Sequence, residues 1–288
     1  MSAIGSGDLP TVIRGTLFVV ATPIGNLADL SSRARELLAR VDLIAAEDTR
    51  HTGRLLLHFG IETPQFALHE HNEKDVVEPL VERLRGGASI ALVSDAGTPL
   101  VSDPGYRFVL AAHRAGIPVL PVPGPSASLA ALSVAGLPTD RFCFEGFLPA
   151  RPKARRDRLE ALRSEPRTMI FYASVHRIRE TLADCAQAFG AARPACLARE
   201  LTKRHEQVAA ATLGDLRAML EDGRIPDKGE FVLVVGGSDA PEKSSEQLSE
   251  DRLLAALASA LPAGKAAAVA AAVTGKPRNE LYRRLLAL

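Results

Sequence analysis

Between residues 16 and 122 short β-rich runs alternate with amphipathic helical stretches. That alternation restricts the chain to a mostly parallel sheet with crossover helices on both faces. Runs at 16–21, 43–46, 90–93 and 117–122 read as strands. Between them, Ser31 can cap a helix that buries Ala34, Leu37, Leu38 and Val41. A second helix runs through Leu55 and Leu56 to Gly60, and a third through Val76, Val77, Leu80, Val81 and Leu84 to Gly86 and Gly87. A fourth covers 106–115.

Open sheets of this kind bind ligands beyond the carboxyl ends of their strands, so the turns there carry the functional reading. The stretch ALVSDAGTPLVSDPG, 91–105, is the most informative. The apolar strand breaks into a loop of acids and hydroxyls around small residues, with Asp95, Gly97, Pro99, Asp103, Pro104 and Gly105 supplying the break. After the first strand, TPIGNLADLS sets Pro23 and Gly25 where a backbone without side chains lets a ligand approach; a simple tight turn explains them equally well. After the second, Glu47, Asp48, Thr49, Arg50, His51 and Thr52 form either a helix start, with Asp48 or Thr49 as cap, or a polar cluster on the same sheet edge as Asp95. Neither GxGxxG nor GxxxxGK[ST] occurs.

The turn PVPGPSAS ends this pattern, and a second α/β unit follows with strands at 142–147, 169–173, 195–198, 208–212 and 231–235 and helices at 156–163, 175–189 and 216–220. The runs near Ala198 and Val208 are close enough to pair antiparallel, which makes this sheet mixed. GGSDAPEKSSEQLS has linker composition. Three helical patterns at 251–261, 265–273 and 279–288 come after it, with Pro262, Gly264, Gly275 and Pro277 at their turns. The expected organisation is a flexible tail (1–14), an N-terminal α/β domain (15–124), a C-terminal α/β domain (125–237), a linker (238–249) and a small helical module (250–288).

Composition narrows the function classes. The 288 residues are 47% hydrophobic, enough for sizeable cores, yet no apolar run reaches bilayer length, and no membrane partner is expected. The first residues lack the pattern of a secretory signal, and Cys143, Cys185 and Cys196 suit neither a disulfide framework nor zinc spacing, so a reducing cytoplasm is expected. His69, Glu70 and His71 do not form HExxH, and no metal is expected. With a net charge of only +1, any polyanion must be held by local patches. Arg151, Lys153, Arg155, Arg156 and Arg158 form one such patch, which is either a solvated face or a grip on phosphates. A second ionisable cluster spans 199–206, explained by surface salt bridges or, at an interdomain crevice, by catalysis.

The strings TPIGNLADLSSRA, AAEDTRHTGRLL, SDAGTPLVSDPG, VPGPSA and ARELTKRHE, in this order, resemble the ribosomal RNA small subunit methyltransferase I family of the tetrapyrrole-methylase superfamily. The resemblance runs from Leu17 to the C-terminal helical stretch. It implies two α/β domains of tetrapyrrole-methylase type, a homodimer, S-adenosyl-L-methionine bound between the domains, and 2′-O-methylation of a cytidine ribose in the decoding region of 16S rRNA within the 30S ribosomal subunit. It assigns the cofactor to Pro23, Gly25, Ser94, Asp95, Ala96, Gly97, Val101, Ser126, Ala127, Tyr172 and Leu201. Where such sequences carry FYESPHR, this chain has Ala173 and Val175, which receive no role, while His176 and Arg177 remain. A ribose hydroxyl needs a proton acceptor, for which Asp48 and Glu47 are the candidates, with Glu200 and Lys203 as rivals. Arg50, Arg54, Arg151, Lys153, Arg155 and Arg156 are the candidate RNA contacts. The rival expectations are a small-molecule, tetrapyrrole-like methylase, disfavoured by the lack of a GxGxGD-like first loop and the few aromatic residues, and a non-catalytic ribosome-binding protein.

Overall fold

A computed structural model of the chain describes residues 14–238 and 245–287. The expected tail up to residue 13, and residues 239–244 of the expected linker, lie outside the described residues. The chain forms two compact units that divide between Gly237 and Ser238. Among the described residues no helix is long and apolar enough to cross a membrane.

The first unit holds two five-stranded sheets. The first comprises β1 (Leu17–Val20), β2 (Leu43–Ala46), β3 (Gln65–Ala67), β4 (Ile90–Val93) and β5 (Val119–Val122), in the order β3-β2-β4-β1-β5 and parallel throughout. Its crossovers are α1 (Ser32–Leu38), α2 (Thr49–His58), α3 (Glu73–Arg85) and α4 (Tyr106–Arg114), with α5 (Ala127–Val134) after the last strand. Side chains alternate across a strand, so a sheet covered on both faces must be apolar at every position. Phe18, Val20, Ile44, Ala46, Ala91 and Val93 therefore pack against Leu37, Leu38 and Leu56 on one face. Leu17, Leu43, Ala45, Ile90 and Leu92 meet Leu80, Leu84 and Phe108 on the other. The short β3 escapes the sequence reading because its three residues are only partly buried and hold one large apolar side chain.

The second sheet comprises β6 (Phe142–Phe147), β7 (Thr168–Ala173), β8 (Pro194–Arg199), β9 (Gln207–Thr212) and β10 (Phe231–Val235), in the order β6-β7-β10-β8-β9. Only β6 and β7 run parallel; β10 is antiparallel to β7 and β8, and β8 to β9, the mixed sheet expected. It is covered by α6 (Pro152–Ala161), α7 (Ile178–Phe189) and α8 (Leu213–Glu221) on one face and by α5 on the other. Helix α6 starts four residues earlier than expected because Pro152 occupies its first turn, where a missing N–H costs nothing.

The second unit is α9 (Ser245–Ala260), α10 (Ala263–Thr274) and α11 (Arg278–Leu285), packed through Leu254, Ala266, Ala267, Ala270, Leu281 and Leu285. Helix α9 takes in residues 245–249, which composition had assigned to the linker: Glu, Gln and Leu favour helix more than the serines oppose it. Gly275, in the left-handed region, closes α10, and Pro277 precedes α11. Buried Glu250 accepts from Lys276 and Arg284, both at 2.5 Å, and so ties α9 to α11 and the turn before it.

Candidate active site

The carboxyl ends of β1, β2, β4 and β5 carry turns that hydrogen-bond to one another. Thr22, just past β1, exchanges backbone bonds with Gly97 (2.9 and 3.1 Å), and its hydroxyl donates to the Ser94 carbonyl at 3.1 Å. Gly97 has φ +84°, and a Cβ there would lie 3.2 Å from Ile24, so both backbone twist and space call for glycine. The Thr98 hydroxyl donates to the Pro125 carbonyl at 3.0 Å, fixing the turn after β5. From the turn after β2, the Asp48 N–H donates to Asp95 Oδ1 at 3.0 Å, and the Asp95 N–H donates to Glu47 Oε2 at 3.4 Å. The segment 94–98 is thus the hub of the edge.

Facing it is one edge of the second sheet. Because β10 runs antiparallel to β7 and β8, Phe231 pairs with both Ala173 and Arg199, and the end of β7, the end of β8 and the start of β10 lie side by side. The two edges enclose a cavity of about 500 Å³, within the roughly 300–1,000 Å³ of small-molecule sites. Its walls combine small residues (Ala96, Gly97, Ala127), apolar side chains (Ile24, Val101, Leu201, Phe231, Val232) and the ring of Tyr172. Tyr172 is held edge-on by Phe144 and Phe147 at 4.9 and 5.4 Å between ring centroids.

Three carboxylates of the first sheet line this cavity: Glu47, Asp95 and Asp103. Burial pushes the Glu47 carboxyl up, opposed by the Asp95 N–H and reinforced by the negative charges of Asp95 and Asp48. Burial likewise pushes Asp103 from 3.8 up to about 6, against a lowering pull from the Ser94 hydroxyl and with the charges of Glu47 and Asp95 adding to the rise. The Tyr172 hydroxyl is also raised by burial. An apolar-walled pocket with crowded acids favours a ligand that is cationic at one end and flat and apolar at the other.

Of the sequence candidates for the cofactor, Asp95, Ala96, Gly97, Val101, Ser126, Ala127, Tyr172 and Leu201 come together on the cavity wall. Pro23, Gly25 and Ser94 are not among its lining residues, and the first loop presents Ile24 instead. A Cβ at Gly25 would lie 2.4 Å from Lys203 Cγ, so the missing side chain makes room for a residue of the facing loop. Ser94 is buried beneath its own loop. Among the base candidates Glu47 lines the cavity and Asp48 does not. Asp48 caps α2, accepting from the Arg50 N–H at 2.8 Å, and its pair with the Arg50 guanidinium holds its carboxyl far below the usual range. Glu200 and Lys203 also fall outside the lining. Lys203 Nζ bridges Glu200 (3.0 Å) and Glu230 (2.9 Å), and against the upward push of burial the Glu230 N–H and Lys203 keep Glu200 below its ordinary value.

The basic cluster divides. Arg50, Arg54, Arg151, Lys153 and Arg156 are exposed, but Arg155 is only 3% exposed. It donates to Asp184 at 2.6 Å and to Glu180 at 2.9 Å, clamping α6 to α7. Its reading as an RNA contact is corrected: every fourth residue of α6 faces the core, and Arg155 shares that face with Leu159. Sequence reasoning missed Asp103, His176, Glu230 and the pair Phe231 and Val232, and gave no role to Ala173 and Val175, all on the cavity wall. The signal for Asp103 was present, since it lies in the 91–105 stretch, but there it reads as a loop breaker beside Pro104 and Gly105.

Residues 16–217 match the family Tetrapyrrole (Corrin/Porphyrin) Methylases, and residues 245–288 match the RsmI C-terminal HTH domain. A protein of Escherichia coli O157:H7 named ribosomal RNA small subunit methyltransferase I is 54% identical, over 95% of each chain. A protein of the same name from Xylella fastidiosa (strain Temecula1) is 56% identical, over 93% of this chain and 98% of its own. Among solved structures, the uroporphyrin-III-C-methyltransferase of Thermus thermophilus superposes with a TM-score of 0.55 at 23% identity, over 77% of this chain and 94% of that one, which shows a shared fold. Family match and full-length identity together establish that this chain belongs to the ribosomal RNA small subunit methyltransferase I family, built on the tetrapyrrole-methylase fold.

Proposed function

We propose that the protein methylates the ribose 2′-oxygen of a cytidine in the decoding region of 16S rRNA, using S-adenosyl-L-methionine, and that it works in the cytoplasm as a homodimer on the 30S subunit. The observation that carries this reading is the cavity between the two sheet edges, in a chain alike along nearly its whole length to proteins named for methylating small-subunit rRNA. The residues fit the donor. Ala96, Gly97 and Ala127 leave space for a flat purine against Val101, Leu201 and Phe231, and the carboxylates of Glu47, Asp95 and Asp103 complement a cationic sulfonium and ammonium. When bound there, S-adenosyl-L-methionine supplies an electrophilic methyl carbon and a good leaving group. The protein's share is to hold that carbon and the accepting oxygen in line, to keep water out with the apolar wall, and to receive the hydroxyl proton. Exposed Arg50, Arg54, Arg151, Lys153 and Arg156 supply phosphate contacts.

The test is incubation of unmodified 30S subunits with the protein and radiolabelled donor, followed by alkaline digestion of the rRNA. A 2′-O-methylated nucleotide cannot form the cyclic phosphate, so the labelled position resists cleavage. Label that stays with an alkali-sensitive nucleotide places the methyl group on a base and refutes the 2′-oxygen. Calorimetric binding of the donor with no transfer to RNA favours a non-catalytic ribosome-binding role.

A further inference from the structure

We propose that Phe147 is a stacking platform for an unpaired base of the RNA substrate, holding the acceptor nucleotide at the mouth of the cavity; this rests on the methyl-transfer reading above. Four Phe and Tyr side chains are exposed among the described residues, namely Tyr106, Phe142, Phe147 and Tyr282, and of these Phe147 alone lines the cavity. It is 55% exposed, so the fold leaves much of it uncovered. Its aromatic neighbours Phe144 and Tyr172 are instead packed against the core beneath α5. The ring of Phe147 meets Tyr172 at 63° between planes and otherwise stands where the cavity opens, with His176 on the same wall.

A break in the strand aims this ring. On a regular strand, residues three apart point to opposite faces, yet Phe144 and Phe147 both pack on Tyr172, at 4.9 and 5.4 Å between centroids. The pairing of β6 with β7 gives the reason. Phe144 stands opposite Ile170 and Gly146 opposite Phe171, so Glu145 is an extra residue, and the shift brings Phe147 opposite Tyr172. Without it Phe147 would stand opposite Ala173, on the face covered by α6, α7 and α8. Gly146 has φ +64°, and a Cβ there would lie 3.2 Å from Ser102 Oγ, so the bulge depends on glycine. Bulges re-aim side chains beside active sites. A neutral ring delivered in this way to the rim of a ligand cavity fits a flat π-system, and unpaired RNA bases are taken on such rings. The chain then runs directly into the exposed Arg151, Lys153 and Arg156. Arg151 is four residues on, at most about 14 Å along the backbone, so a nucleotide stacked on Phe147 has its flanking phosphates within reach of these cations. Arg158 pairs with Glu145 and neutralises the carboxylate of the bulge itself.

The experiment compares wild type, Phe147→Leu, Phe147→Trp and Phe142→Ala in the full-length protein. Leucine keeps the apolar bulk and removes the π-face, tryptophan enlarges that face, and Phe142 is the exposed ring at the other end of β6, off the cavity wall. The measurements are single-turnover methylation of subsaturating 30S subunits, the salt slope of 30S binding, S-adenosylhomocysteine affinity by calorimetry, and oligomeric state by sedimentation. Phe147→Leu is expected to lower the methylation rate about 5- to 150-fold, the range spanned by loss of one base–aromatic stack. The salt slope should stay at its wild-type value, because a stacked base releases no counterion, and S-adenosylhomocysteine affinity should be unchanged. Phe147→Trp should stay closer to wild type than Phe147→Leu, and Phe142→Ala should match wild type throughout. Wild-type methylation by Phe147→Leu, a tryptophan variant no better than leucine, or an equal loss in Phe142→Ala overturns the stacking role. A fall in S-adenosylhomocysteine affinity that matches the fall in rate overturns it by placing the ring in the donor site, and a change of oligomeric state does so by placing it between copies of the chain. A wild-type protein that methylates no 30S rRNA instead removes the functional reading, and the stacking role with it.

Discussion

Asp103 stands half-buried among Ser94, Glu47 and Asp95, and holding a carboxylate there works against the fold. Burial, the Ser94 hydroxyl opposing it, and two like charges leave its folded value at about 6, above the 3.8 of an unstructured chain. Between those values the native state keeps a proton that the unfolded state has lost, so stability falls as pH rises through this window and stays reduced above it. Asp103→Asn removes the ionisable group. Solvent reaches part of the group and screens it, so thermal melts should show the variant more stable than wild type by about 1–2 kcal/mol at pH 7–8, with the two curves converging near pH 4. A variant less stable than wild type at neutral pH would mean that the carboxylate is a structural acceptor. Gly25 and Lys203 show the complementary case at this scale. Sequence marks both as functional, and the structure adds that they meet each other across two loops, a relation that no spacing along the chain expresses.

At the scale of elements, the strands of both sheets except β3 and the helices that cover them were readable, because burial on two faces writes an unbroken apolar run and burial on one writes a helical stripe. What was not readable is which face a charged residue takes. In α6 the string PKARRDRLEA offers one strong apolar marker, Leu159, and Arg155 and Arg156, four and three residues before it, both fall beside its face, so spacing alone does not say which of them is buried. The discriminating information lies in α7, where Asp184 and Glu180 wait for a guanidinium. Arg155→Met keeps the stem and removes the charge, leaving Asp184, whose side chain is 13% exposed, without its partner. Breaking such a pair from one side should lower unfolding free energy by about 2–4 kcal/mol, read from denaturant midpoints at unchanged slope. The same variant, below its melting temperature, should bind RNA with the wild-type salt dependence. The converse result, full stability with weakened binding, would restore Arg155 to the RNA surface.

For the whole molecule the governing number is a net charge of +1, which gives no long-range pull on a polyanion. Affinity for rRNA must then come from local groups, and α6 supplies a compact set: Arg151, Lys153 and Arg156 are exposed at its start, while Asp157 and Glu160 follow within the helix. Each phosphate contact that releases a counterion adds about 0.7 to the slope of log affinity against log salt for single-stranded RNA and about 0.9 for a duplex. Replacing Arg151, Lys153 and Arg156 together with glutamine should therefore flatten that slope by about two. It should weaken binding most at low salt and leave donor affinity and the melting temperature unchanged, since these side chains neither line the cavity nor enter a core. The measurement is a filter-binding titration against 30S subunits at several salt concentrations. An unaltered slope would make α6 an ordinary solvated face and shift the phosphate contacts to Arg50 and Arg54 on α2, where the same triple of slope, affinity and stability can be read again.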